Sequence, residues 1–150
     1  MPIRSRFGKG RGLQWRDRTL LAEAAFWLAA ARAAVLVVPF RYLAPHLGTA
    51  MAETPPDPLP ADESPDRIAW AIGAASRATP WRTPCLAEAI AGQRMLRRRR
   101  IPSTIYLGLT KDGAAMAAHA WLRCGSRTLV GAPSSDRFTP VATFAHAPRA

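Results

Sequence analysis

Between Thr19 and Val38 the only charged residues are Glu23 and Arg32. So long an apolar run must be covered by protein or by lipid, and that need constrains the fold more than any other feature. Ala, Leu and Glu favour helix, and Leu20, Ala24, Trp27, Ala31 and Ala34 or Val35 recur at three- and four-residue steps. Thr19 is the candidate cap. Pro39 ends the helix, because proline lacks the amide N–H and clashes with the preceding turn. A bilayer-spanning helix wants roughly 20 apolar residues nearly free of charge, and Arg32 interrupts this run. The pattern favours packing on protein over membrane contact. A secretory signal fits poorly: the nearby Ala50-Met51-Ala52 lies well past the apolar run, with Arg41 between.

Around this run the chain divides by composition. Residues 1–52 read as a basic arm followed by the apolar helix. Residues 53–66 hold five of the fourteen prolines and half of the ten acids (Glu53, Asp57, Asp62, Glu63, Asp66), which marks a linker or surface loop. Residues 67–150 read as the core domain. A helix begins at Ser64 or Asp66 and runs through Ile68, Trp70, Ala71, Ala74 and Ala75 to Pro80. A second opens at Thr83-Pro84, with Thr as N-cap and Pro at the first helical position, and continues to the Arg97–Arg100 run before Pro102. Strands follow at 104–110, 117–123 and 127–130, with a fourth at 138–144. Helices followed by an antiparallel meander give an α+β fold.

The formal charge of +11 attracts acidic partners: nucleic acid, anionic lipid or an acidic protein. The Arg97–Arg100 run reads as a solvated helix end, a phosphate contact or a dock for an acidic partner. Nucleic-acid binding would call for exposed aromatics interleaved with the arginines. The nearest, Tyr106, sits in a strand that reads as buried, so no nucleic-acid partner is expected.

The chemistry lies in the second half. Cys85 falls at the second residue of the predicted helix, where unpaired backbone N–H groups and the positive dipole end favour a thiolate, the reactive form. The competing reading is a small buried residue. His119 is the candidate partner. Strand alternation puts His119, Trp121 and Arg123 on one face, and Ala120, Leu122 and Cys124 on the other. A helix bearing Cys at its N-terminus, then a sheet bearing His, is the arrangement of papain-like thiol enzymes. A third group should orient the imidazole; Asp136 and Asp112 are the acids nearest in sequence. Cys124 reads as structural, with no disulfide to Cys85 expected. His46, His119 and His146 show no metal-ligand spacing.

Three segments are familiar together: Trp81-Arg82-Thr83-Pro84-Cys85-Leu86, then Gln93 through Ile101-Pro102-Ser103-Thr104 to Gly108, then Ala118-His119-Ala120-Trp121. They resemble the lasso peptide biosynthesis B protein family, transglutaminase-like thiol proteases that remove the leader from a ribosomally made precursor. The resemblance covers about residues 66–144 and, more loosely, the apolar helix with Pro39-Phe40-Arg41. It implies a transglutaminase-like core with Cys85 as nucleophile and His119 as general base, without cofactor or metal. It also implies an Asp about a dozen residues after the His, where this chain has Val130-Gly131-Ala132. That leaves three readings: Asp136 moves in, a backbone carbonyl orients His119, or the enzyme works as a dyad.

Many members carry a winged-helix-like precursor-recognition module, and residues 1–52 hold one strong helix with no strand series. The family's split form pairs the protease with a separate recognition protein. Implied partners are therefore the precursor peptide, that recognition protein and the ATP-dependent lasso cyclase. The expectation is a cytoplasmic cysteine peptidase with membrane association left open. Its alternatives are an acyltransferase that passes the thioester to an amine, and a basic non-enzymatic binding protein.

Overall fold

The computed structural model describes residues 14–56, 64–81, 83–131 and 137–148. Helix α1 spans Trp15–Val37. It starts four residues before Thr19, because the Asp17 carboxylate accepts the Gln14 backbone N–H and caps the first turn. A short helix α2 (Phe40–Leu43) and a 3₁₀ turn (Ala44–His46) lead into the two-residue strand β1, Thr49–Ala50. Helix α3 is Ser64–Ala78 and α4 is Cys85–Arg98. Strands β2 (Ser103–Asp112), β3 (Ala115–Cys124), β4 (Arg127–Val130) and β5 (Thr139–His146) complete the chain.

All strand pairs are antiparallel, and the sheet order is β1-β5-β2-β3-β4. A plain meander would set β5 beside β4. Instead β5 crosses back to β2, which pairs on both sides and becomes the centre of the sheet. The crossover brings Phe138 over β3, next to the histidine.

Helix α4 is the middle layer. Ala87, Ala89, Ile90, Ala91, Gly92, Gln93, Met95 and Leu96 are buried, so the helix is enclosed nearly all round. α1 and α3 cover one side through Leu20, Ala24, Leu28 and Ala31 and through Ile68, Ala71, Ile72 and Ala75. The sheet covers the other. At Gly92 even a Cβ would come within 2.8 Å of Leu122 Cδ2, so glycine there sets how closely helix and sheet approach. One core cluster runs from Leu20 to Phe144, across the compositional break at 53–66.

The arginines that end α4 are largely used internally. Arg98 and Arg99 pair with Glu23 of α1 at 2.9 Å each, and Arg94 and Arg97 donate to the His46 carbonyl. The helix closes on a Schellman turn: Ile101 N–H reaches the Leu96 carbonyl and Arg100 N–H the Arg97 carbonyl.

Candidate active site

The site forms where the start of α4 meets the open side of β3. Pro84 takes an extended ψ of 144° and serves as N-cap, which makes Cys85 the first helical residue and not the second. Thr83 therefore lies outside the cap, with its buried Oγ1 lacking a partner among the described residues. The first N–H groups of a helix have no intrahelical acceptors, so Cys85 stands among donors.

β4 ends at Val130, which pairs with Leu122. Beyond that pair β3 has no β4 partner, and the Ala120 N–H is satisfied by the Cys85 sulfur, at 3.4 Å. Strand N–H groups point within the plane of the sheet. The sulfur therefore sits at the rim of the sheet, beside the residue that follows His119, and half-buried. α4 covers the Ala120–Leu122 face. The imidazole lies on the other face, with its centroid 6.1 Å from the Trp121 ring and 5.0 Å from that of Phe138. Thus the fold brings Cys85 and the His119 segment to one edge.

His119 Nε2 lies 2.8 Å from the Gly131 carbonyl oxygen. A carbonyl only accepts, so Nε2 carries the proton, and in the neutral ring Nδ1 is the basic nitrogen. Gly131 has φ 90°, and an added Cβ would meet Trp121 Cβ at 2.7 Å and the Ala120 oxygen at 2.8 Å. Only glycine fits there without strain. Of the acids weighed as third members, Asp136 lies outside the described residues. Asp112 ends β2 at the hairpin turn, paired with Ala115. That is four ladder steps from the Gly108–His119 pair, about 13 Å along the strand.

Behind the histidine a buried wall holds the geometry. Trp121 stacks on Tyr106, with centroids 5.4 Å apart and planes 3° from parallel. The Tyr106 hydroxyl accepts from Arg123 Nε at 2.7 Å. Burial pushes the Tyr106 phenol up, a hydrogen bond with Glu53 adds to this, and Arg123 opposes it. Arg123 also donates to the carbonyls of Gly125 and Thr54, and Thr54 bonds Thr104 side chain to side chain at 2.8 Å. The start of the acidic linker is thereby tied onto this face. Position 108 has no room for a side chain, because a Cβ there would strike the Trp121 ring at 2.6 Å. The β2–β5 register shifts at the same place, between Leu107 and Gly108. A glycine within a strand signals such close approach, so Gly108 was discoverable from sequence. Phe138 was not, because its position depends on the strand crossover. Cys124 is buried, and burial pushes its thiol up.

A family model described as the transglutaminase-like superfamily matches residues 27–143. No curated protein and no solved structure matches the chain. The match takes in α1 from Trp27, all of α3 and α4, and β1 to β4, and it ends within β5.

Proposed function

Since the chain belongs to the transglutaminase-like superfamily, whose members use a cysteine thiol in acyl chemistry, we propose that it is a cysteine peptidase that removes the leader from a lasso peptide precursor. One observation carries the thiol chemistry: the Ala120 N–H is bonded to the Cys85 sulfur, so nucleophile and His119 segment share an edge. The precursor class rests on the motifs around Cys85, Ile101-Pro102-Ser103-Thr104 and Ala118-His119-Ala120-Trp121.

The Cys85 thiol gives its proton to His119, and the sulfur attacks the carbonyl at the leader–core junction. The N–H groups at the start of α4, that of Cys85 included, stabilise the oxyanion. The C–N bond breaks, and the imidazolium protonates the departing amine, which becomes the N-terminus of the core. Water, losing a proton to His119, then adds to the thioester. The C–S bond breaks, the imidazolium returns its proton to the Cys85 sulfur, and the leader leaves as its carboxylate, its acid proton going to solvent. The Gly131 carbonyl holds Nε2–H through each transfer. Asp136 is the other candidate for that role, since in sequence it falls between Gly131 and Phe138, both of which flank the ring. The precursor is the substrate, and a separate recognition protein and the lasso cyclase are the proposed partners. Two free thiols suit a reducing cytoplasm.

The test incubates precursor, recognition protein and this chain, with Cys85→Ala and His119→Ala in parallel, and reads products by mass. Leader and core must appear with the native chain and vanish with either variant. A product carrying an added amine instead of water would assign acyl transfer. Cleavage that survives Cys85→Ala would refute the thiol mechanism.

A further inference from the structure

The outward face of α1 is apolar without interruption from Ala22 to Val38. It presents Ala22, Ala25, Phe26, Ala29, Ala33, Leu36 and Val37, with Phe26 at 63% exposure, Leu36 at 64% and Val37 at 79%. Both charges in the run are turned inward: Glu23 pairs with Arg98 and Arg99, and the Arg32 guanidinium lies 5.1 Å over the Trp81 ring. By length and composition the helix is apolar enough to cross a membrane, and only 17% of its most apolar stretch is buried. The helix lies side-on to the core, with Leu20, Ala24, Leu28 and Ala31 buried against it and contacts at Asp17–Arg67, Glu23–Arg99 and Arg32–Trp81 along its length. A helix apolar on both sides, with one side already packed on protein, needs an apolar partner for the other.

The chemistry at its ends identifies that partner. Exposed Trp15, Arg16 and Arg18 stand at one end, and exposed Phe40, Arg41 and Tyr42 at the other. The sequence ahead of Gln14 adds Arg4, Arg6, Lys9 and Arg11 without an acid. Aromatic and basic residues bracketing an apolar helical face match the layering of a membrane interface, with acyl chains beneath and anionic headgroups at the flanks. A protein groove would match the apolar strip but gives no reason for basic residues at both ends.

We infer that α1 docks the protein flat on an anionic bilayer, with Ala22–Val38 immersed at the acyl boundary and Arg16, Arg18 and Arg41 on the headgroups. This does not depend on the thiol chemistry, and Cys85→Ala protein should bind equally well.

The full chain is sedimented with vesicles of phosphatidylglycerol and phosphatidylethanolamine, and with vesicles of phosphatidylcholine alone. It should pellet with the anionic vesicles, weakly with the neutral ones, and less as salt rises. Each surface arginine changed to Glu should lower partitioning by roughly fivefold or more. Phe26→Asp with Leu36→Asp, at two exposed positions, should abolish pelleting while thermal unfolding stays that of the native chain. Failure to pellet with anionic vesicles overturns the inference. So does equal binding to both vesicle types, or a dimer in solution that Phe26→Asp with Leu36→Asp dissociates, which would assign the face to a second copy.

Discussion

The Nε2 of His119 lies 2.8 Å from the carbonyl oxygen of Gly131, a residue twelve positions along, just past the end of β4. The resemblance to the lasso peptide B proteins implies a carboxylate in this region; this chain has Val130-Gly131-Ala132 there, and the Gly131 carbonyl meets the ring. An added Cβ would meet Trp121 Cβ, Trp121 Cα and the Ala120 oxygen, all within 2.9 Å, and backbone cannot yield as a flexible side chain can. Gly131→Ala should therefore destabilise the fold by about 1–3 kcal/mol and lower kcat/KM by about a hundredfold through a displaced imidazole. Gly131→Asp should fail likewise, since the clash lies at Cβ and precedes any benefit from the acid. Thermal melts and cleavage kinetics together check this.

If a carbonyl holds the ring, the carboxylate at 136 is dispensable. Asp136→Asn should keep the cleavage rate within about tenfold, whereas loss of an orienting carboxylate elsewhere costs on the order of 10⁴. Cys85→Ala and His119→Ala should each lose three orders of magnitude or more, with little change in melting temperature. Single-turnover cleavage of the precursor separates these cases.

Gly108→Ala would drive a methyl into the Trp121 ring, 2.6 Å from Cζ3, and toward Phe138 Cβ at 2.9 Å. The expected cost is about 1–3 kcal/mol. Trp121 fluorescence should shift and activity fall with it, because the same ring flanks His119.

Stability should fall in acid. A hydrogen bond from Arg99 holds the Glu23 carboxyl below its ordinary value against the opposing effect of burial, and the Arg99 and Arg98 charges add to the lowering. Burial, with Arg97 and Arg94 nearby, holds His146 below the ordinary histidine range. Both pKa values are lower folded than unfolded, so the unfolded chain binds more protons and stability rises with pH. The His146 contribution is lost as pH drops below the normal histidine value, and that of Glu23 as it drops through the carboxylate range. Denaturant midpoints across pH should show both steps, with Glu23→Gln removing the lower one.

Arg100 sits at φ 56° in the Schellman turn that ends α4. A side chain there is strained where glycine is not. Arg100→Gly should stabilise the protein by up to about 1 kcal/mol, read as a raised melting temperature at unchanged activity.

Much of this architecture was legible because it is local. The helical spacing of Ile68, Ala71 and Ala75 identifies α3, Pro39 and Pro102 mark helix ends, and the β-branched run after Pro102 marks β2. The placement of Cys85 at a helix start followed from Thr83-Pro84, with a shift of one residue because Pro84 remained extended. The helix start at Trp15 was missed, since a capping carboxylate at Asp17 outweighed a candidate threonine at 19. Nothing local could disclose that β5 crosses to β2, that Phe138 reaches His119, or that Gly131 offers its oxygen to the ring. Those relations join residues distant in sequence and depend on which strand edge is left open. Amino-acid order by itself determined the elements and the reactive side chains. Only the tertiary structure decided what faces them, because one open edge of β3 had to find a donor's partner in Cys85 and one closed turn had to pass the Trp121 ring without a side chain.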